Sequence, residues 1–213
     1  MNIILFGPPG AGKGTQAQFI VKKHNYFQLS TGNLLRAEVK SKTSLGAEIE
    51  SLISNGKFAS NETVNALLRQ SIMNLKFRDR IIFDGYPRNV EQAKNLELIL
   101  GEFNQTVGHI IFLNVSREII EKRIMGRVTC DKCNMTMNEF FNKEQIELHP
   151  CGKEFLKKRK DDNFDVVVAR YDTYMTETKP VLDFYSKYEN FTEIDGATEI
   201  EQINNKINDV LNV

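Results

Sequence analysis

Gly7-Pro8-Pro9-Gly10-Ala11-Gly12-Lys13-Gly14-Thr15 follows directly on the apolar run Met1-Asn2-Ile3-Ile4-Leu5-Phe6 and leads into a helical pattern. A glycine-rich turn between a strand and a helix lets several backbone N–H groups converge on one anion, and the helix N-terminus adds its dipole. A lysine at the position of Lys13 is placed to reach the β- and γ-phosphates of a nucleotide. The bland alternative is a strand-to-helix turn with no ligand. It does not account for the spacing, the lysine and the position together. The expected phosphate cradle is Gly10, Ala11, Gly12, Lys13, Gly14 and Thr15. One feature departs from the general pattern, which puts Ser or Thr directly after the lysine: here Gly14 intervenes before Thr15.

Outward from this loop, short apolar runs alternate with helical patterns. Ile3 to Phe6, Phe27 to Leu29, Ile81 to Phe83, Ile110 to Val115 and Phe191 to Ile194 read as buried strands bounded by turns or caps. The alternation predicts an α/β fold, a doubly wound parallel five-stranded sheet of P-loop type with helices on both faces. At the C-terminal end Thr198-x-x-Glu201 predicts a capping box, ahead of Ile200, Ile203, Ile207, Val210 and Leu211 on one helix face. Two segments interrupt the alternation. Residues 30–60 carry two short helices, too much for one crossover. Residues 128–160 hold all three cysteines, one histidine and several lysines without a strong helical period, and read as an inserted small lobe.

Bulk composition narrows the partners. The chain has 213 residues, 41% hydrophobic and 26% charged, enough for a real core in one body with a smaller inserted lobe. Lys plus Arg equals Asp plus Glu at 28 each, so no global field attracts nucleic acid or an anionic membrane. Anion binding must come from local clusters. The opening apolar run stops at Gly7, without a basic leader or a cleavage pattern, so a strand is expected there and not a signal peptide. No apolar run approaches membrane-spanning length. Three cysteines, two of them in Cys130-x-x-Cys133, suit a reducing compartment better than a disulfide framework, which makes the cytoplasm the expected location.

The Gly-Lys-Gly-Thr-Gln form of the loop resembles that of the nucleoside monophosphate kinases, adenylate kinases in particular. Further motifs carry the resemblance, in order and spacing, from the first strand to the final helix. Ser30-Thr31-Gly32-Asn33-Leu34-Leu35-Arg36 is similar to the family's acceptor-nucleotide motif, and Asp84-Gly85-Tyr86-Pro87-Arg88 with Gln92 to its second. Arg123-x-x-x-Arg127, Arg159-Lys160-Asp161-Asp162 and Arg170 are similar to its lid and lid-hinge positions. The resemblance is to the long bacterial-type form with a zinc-type lid. It implies a core of residues 1–29, 61–121 and 161–213, an AMP-binding lobe at 30–60 and a lid at 122–160, both lobes mobile. It also implies a monomer, with ATP and AMP as the small-molecule partners and no nucleic-acid or membrane partner.

Phosphoryl transfer between two nucleotides gathers many negative charges around one moving group, so catalysis is mostly positioning and neutralisation. Arginine suits this because its planar fork grips two phosphate oxygens and stays charged. A single arginine would more often be an exposed helix charge. Six of them inside the motifs are not explained that way. By resemblance Arg36 and Arg88 hold the acceptor phosphate, and Thr31, Lys57, Ala59, Gly85 and Gln92 complete the AMP site. Arg123 lies against the donor adenine, while Arg127, Arg159 and Arg170 reach the donor and transferred phosphates, the last two also serving AMP. Arg123 and Arg127 are four apart and would share one helix face. Asp84, at a strand end, can orient waters around Mg²⁺ carried by the triphosphate. Asn33 stands where the family usually has Asp, which removes a negative charge near the metal. Gln92 also sits at the end of Asn89-x-x-Gln92, a capping box for the next helix, so a structural role competes with base reading.

Cys130-Asp131-Lys132-Cys133 is half of a zinc knuckle, two thiolates presented by a tight turn. His149-Pro150-Cys151-Gly152 supplies the irregular other half, with Glu154 as the rival fourth ligand. A neutral imidazole adds no charge beside three thiolates, which favours His149. Such a closed four-ligand Zn²⁺ site is structural. Two alternatives to transfer between ATP and AMP stay open at this point. One is a UMP/CMP kinase, disfavoured by Thr31, Gln92 and the long lid. The other is a P-loop ATPase coupled to a zinc module that binds nucleic acid.

Overall fold

The computed structural model describes residues 1–73, 79–159 and 162–211. In chain order its elements begin with β1 (Asn2–Phe6), α1 (Lys13–His24), β2 (Phe27–Ser30), α2 (Thr31–Lys40), α3 (Ser44–Ser54), α4 (Asn61–Met73) and β3 (Ile81–Asp84). Next come α5 (Val90–Glu102), β4 (Val107–Asn114), α6 (Arg117–Met125), β5 (Arg127–Cys130), β6 (Thr136–Asn138) and α7 (Lys143–Glu147). The chain closes with β7 (Leu156–Lys157), α8 (Phe164–Thr173), a π-helical turn (Tyr174–Thr178), α9 (Lys179–Tyr185), β8 (Phe191–Asp195) and α10 (Ile200–Leu211).

Five strands form a parallel sheet in the order β2-β3-β1-β4-β8. All five expected strands are present. The fourth starts earlier than its apolar run, at Val107, because Val107 and His109 already pair with Asn2 and Ile3 of β1. Successive side chains of β1 point to opposite faces, and both faces are covered. Ile4 and Phe6 join a core with Leu68, Phe83, Leu96 and Tyr185, whereas Ile3 and Leu5 join one with Ala17, Ile20, Ile120 and Ile207. Every residue of β1 is therefore buried. That explains an uninterrupted apolar run in place of alternation.

Strand order reverses direction around β1, and at such a switch point the loops leaving adjacent strands diverge and open a crevice. Leu5 lies in register with Asp84, and Asp84 with Ser30. The ends of β1, β3 and β2 therefore deliver the phosphate loop, Asp84 and the 30–36 motif to the same edge. Gly7 and Gly10 shape the loop. Gly7 has φ 147, and a Cβ there would come within 2.5 Å of the Leu113 carbonyl. Gly10 has φ 81 and packs under Ile124, where a Cβ would sit at 2.9 Å.

The two interruptions take shape as two additions to this sheet. Residues 30–60 hold α2 and α3, which pack on each other. The cysteine-bearing stretch forms a three-stranded antiparallel sheet in the order β6-β5-β7. Here one expectation is corrected. Arg123 and Arg127 do not share a helix face: α6 ends at Met125, and Arg127 begins β5 opposite Asn138. Gly126 is the C-cap of α6, and a Cβ there would meet the Phe140 ring at 2.5 Å and Asn138 Oδ1 at 2.6 Å, so glycine suits the close approach of β6 and its turn to the helix end. At the other end Thr198 turns its hydroxyl to the Asp195 carbonyl, and α10 starts at Ile200. Among the described residues no helix is long and apolar enough to cross a membrane.

Candidate active site

One cleft of about 2110 Å³ runs between the phosphate loop, the 30–60 lobe and the cysteine lobe. Gly10 to Thr15, Arg36, Lys57, Ala59, Asp84, Gly85, Arg88, Arg123, Arg127, Arg159 and Arg170 all border it. The structure thus brings the cradle and the six motif arginines to one place. Lys160 and Asp161 lie outside the described residues.

Lys13 folds back over its own loop, its ammonium donating to the carbonyls of Gly7 at 2.8 Å and Pro8 at 2.9 Å. Burial lowers its pKa to about 8; Asp84 opposes that shift, and Arg88, Arg127 and Arg170 reinforce it. Arg88 is likewise brought down to about 10 by burial and by Arg170, with Asp84 opposing. These groups repel one another. A cleft that gathers this many cationic side chains suits a polyanion.

Asp84 is buried, and its Oδ2 accepts from Gln28 Nε2 at 2.8 Å. Arg88 is held at three points. Its Nε donates to the Gly85 carbonyl at 2.8 Å, its backbone N–H to Gln92 Oε1 at 2.8 Å, and its guanidinium stacks 4.8 Å from the Phe58 ring centre. Arg127 is clamped by both carboxylate oxygens of Asp162, and Arg170 approaches the same carboxylate at 3.7 Å. Arg123 Nη1 donates to the Ala11 carbonyl at 3.3 Å, which ties α6 to the cradle. Arg36 Nη2 donates to Asn33 Oδ1 at 2.7 Å, so the unusual Asn33 serves an arginine of the acceptor motif.

The two residues assigned to base choice, Thr31 and Gln92, are each 2% exposed and pack against Gly85 and Arg88 of the cleft wall. Thr31 Oγ1 donates to the Gly85 carbonyl. The Gln92 amide is engaged on both sides, by the Arg88 N–H and by Asn61 Oδ1. Half of the capping box forms: Asn89 Oδ1 accepts from the Gln92 N–H, but the Gln92 side chain turns to Arg88. Sequence reading passed over Gln28 and the role of Asp162. The signal for Asp162 was a carboxylate inside a run of cleft arginines, where it has to be an arginine partner.

In the cysteine lobe the ligand atoms of Cys130, Cys133, His149 and Cys151 lie within 4.8 Å of one another. Cys133 Sγ is 3.7 Å from His149 Nε2. Tetrahedral Zn²⁺ holds S and N ligands at about 2.0–2.3 Å, which requires ligand atoms about 3.5–3.8 Å apart. The cluster fits with little contraction. Glu154 is exposed, and its carboxylate folds back onto Gly152. Burial pushes the Cys130 thiol up, but hydrogen bonds from the Cys133 amide, His149 and the Lys132 amide outweigh it and bring the pKa to about 6. All three cysteines are free of disulfides.

Comparison with known proteins agrees with this geometry. The family model described as adenylate kinase matches residues 5–190. An adenylate kinase of Pelagibacter ubique is 80% identical over 213 residues, all of both chains. One from Fusobacterium nucleatum is 41% identical over 99% of this chain and 98% of its own, and one from Novosphingobium aromaticivorans 38% identical over 99% of each. With a phosphate cradle, a cleft of arginines and full-length similarity of this kind, the chain belongs to the adenylate kinase family.

Proposed function

We propose that the chain moves the terminal phosphoryl group of ATP onto AMP, giving two ADP, with the residues bordering this cleft in distinct roles. The observation that supports it most is the convergence of Lys13, Arg36, Arg88, Arg123, Arg127, Arg159 and Arg170, from distant parts of the chain, on one cleft. Family membership makes the chain a nucleoside monophosphate kinase and sets aside the UMP/CMP kinase and ATPase alternatives.

The roles follow from the chemistry. Gly10 to Thr15 hold the donor phosphates through backbone N–H groups, and Lys13 leaves the carbonyls of its own loop to follow the transferred group. Arg123, packed on the cradle, covers the donor base. Arg36 and Arg88 take the acceptor phosphate, with Lys57, Ala59 and Gly85 along the same wall. Thr31 and Gln92 would line the acceptor base, and each also fixes a neighbour on that wall, Gly85 and Arg88. Arg127, Arg159 and Arg170 neutralise the phosphates between the two nucleotides. Mg²⁺ arrives with the triphosphate and offsets part of its charge, and Asp84, steadied by Gln28, would orient waters around it.

Residues 30–60 and 122–160 are assigned as the AMP lobe and the lid, closing on the core of 1–29, 61–121 and 161–213 to exclude water. Cys130, Cys133, His149 and Cys151 would hold one structural Zn²⁺ that cross-links the lid. We place the protein in the cytoplasm as a monomer, since free thiols at such a site persist in a reducing compartment. Assays of ATP against AMP, UMP and CMP separately test the substrate reading. AMP is expected to give the highest kcat/KM, and equal use of a pyrimidine monophosphate would refute it.

A further inference from the structure

We infer that Gln16 sets the donor-base preference of the cleft by anchoring the turn at residues 197–200. Gln16 lies one helical turn beyond Lys13 on α1 and is 1% exposed. Its Nε2 donates to the Ile200 carbonyl at 3.0 Å, across a sequence separation of 184. Gln16 and the 197–200 turn border the same cleft as the phosphate cradle. So does Arg123, bound to the Ala11 carbonyl. The compartment between Arg123 and the turn therefore adjoins the cradle, where the base of a nucleotide seated by its phosphates belongs.

The turn is braced from within. Asp195 Oδ1 accepts from the Ala197 N–H at 2.9 Å, and the Asp195 carbonyl accepts from the Thr198 hydroxyl at 3.2 Å. Ala197, Thr198, Glu199 and Ile200 include no carboxamide and no aromatic group. With the Thr198 hydroxyl engaged by the Asp195 carbonyl, a base edge in this compartment meets backbone N–H and C=O groups beside the exposed Glu199 carboxylate. Adenine offers an amine donor beside a ring acceptor, whereas guanine offers an acceptor beside an N–H donor. Peptide groups tell the two apart only when they cannot swing to present the other pole. Gln16 supplies that restraint from α1. An apolar side chain would fill the space as well. Gln16 instead keeps its Oε1 buried with no partner among the described residues, a cost that packing alone does not explain.

This inference rests on the reading that ATP is the donor, and the experiment separates the two. Wild type, Gln16→Met (similar volume without the amide) and Gln16→Glu (an oxygen turned to the Ile200 carbonyl) are assayed with ATP and GTP at saturating AMP. Loss of one such hydrogen bond is expected to raise KM for ATP about three- to tenfold and to lower the ATP/GTP ratio of kcat/KM by a similar factor. KM for AMP and kcat at saturating ATP stay within about twofold in a positioning role of this kind. Amide hydrogen exchange at residues 197–204, measured on the folded protein without substrate, accelerates in either variant. If one variant fails to fold, the other and its exchange pattern decide. An unchanged ATP/GTP ratio overturns the inference, as does a parallel rise in KM for AMP. A wild type that uses GTP as readily as ATP removes the donor reading itself, and no variant is needed to see it.

Discussion

Arg127 and Asp162 form a two-point ion pair: Nε and Nη2 of the guanidinium donate to Oδ2 and Oδ1 of the carboxylate, the first at 2.7 Å. Asp162 has a side chain only 1% exposed, and Arg170 shares its Oδ1 at 3.7 Å. One buried carboxylate thus directs two of the arginines that face the cleft. A two-point contact fixes the plane of the Arg127 guanidinium as well as its position. Asp162 is itself a positioning group, not a contact to phosphate, since a carboxylate facing the triphosphate would repel it.

Asp162→Asn tests this relationship. The amide keeps one acceptor but loses the charge and one side of the clamp, so both guanidinium groups gain freedom. Misplacing groups that act only through position is expected to lower kcat about 10- to 100-fold. Folding stability is expected to fall by about 1–3 kcal/mol, because two largely buried cations lose part of their partner. Steady-state kinetics and a denaturant titration check the two parts. Unchanged kcat would show that substrate phosphates alone orient Arg127 and Arg170.

How much of this was legible beforehand differs by level. β1 is buried throughout, and apolar from Ile3 to Phe6, because both sheet faces are covered, so the parallel sheet could be read from single strands. The phosphate loop could be read because its function is local, carried by residues adjacent in sequence. Arg127 was misplaced because a four-residue spacing suits a helix, and nothing local reveals that Phe140 needs Gly126 bare. Gln28 and Asp162 were missed for a related reason. Each acts on a residue far along the chain, at separations of 56 and 35, and such pairs leave no periodicity.

Lys13→Ala is expected to lower kcat on the order of 10²-fold or more, since its charge acts on the transferred group and not on the ground state alone. Lys13 also predicts a pH dependence. Its pKa in the free protein is about 8, below the ordinary 10.5, mainly because of burial. Above about 8 the lysine of the free protein is increasingly neutral, and binding a triphosphate must then draw in a proton. ATP affinity is expected to fall by up to about tenfold per pH unit above that point. Calorimetry in buffers of different ionisation enthalpy is expected to show proton uptake at pH 9 and little at pH 7. Stability of the free protein runs the other way. Between about 8 and 10.5 the unfolded chain holds this proton more tightly, so the contribution of Lys13 to stability rises with pH across that window.

Arg88 and Arg123 are expected to separate by substrate. Arg88 is held at Gly85, Gln92 and Phe58, on the side of the cleft proposed for the acceptor. Arg123 is held at Ala11, on the side proposed for the donor. Arg88→Ala is expected to raise KM for AMP and lower kcat together, by about tenfold or more each, the cost of a charge-assisted phosphate contact. Arg123→Ala is expected to weaken ATP binding about three- to tenfold and leave AMP binding within twofold, as for loss of a stacking cation. Isothermal titration with each nucleotide distinguishes them. Intact ATP affinity in Arg123→Ala would refute its assignment to the donor base.

Purified protein is expected to carry about one Zn²⁺ per chain at Cys130, Cys133, His149 and Cys151. Geometry and charge both select His149 over Glu154. Only His149 has its ligand atom within 4.8 Å of the three sulfurs, and a neutral imidazole adds no charge to three thiolates. Pro150 between His149 and Cys151 suits the tight spacing, because it fixes the backbone of the turn that presents both ligands. The site is expected to matter to the lid and not to the sheet, since the cluster lies on the β6-β5-β7 lobe and its flanking turn. Chelation should therefore loosen residues 127–157 in hydrogen exchange while the strands of the central sheet keep their protection. Metal analysis of wild type, His149→Ala and Glu154→Ala checks the ligand set. His149→Ala is expected to lose most of its zinc and Glu154→Ala to retain it. The reverse pattern would make Glu154 the ligand, and a metal-free wild type prepared with zinc present would leave the lobe to fold on its apolar contacts alone.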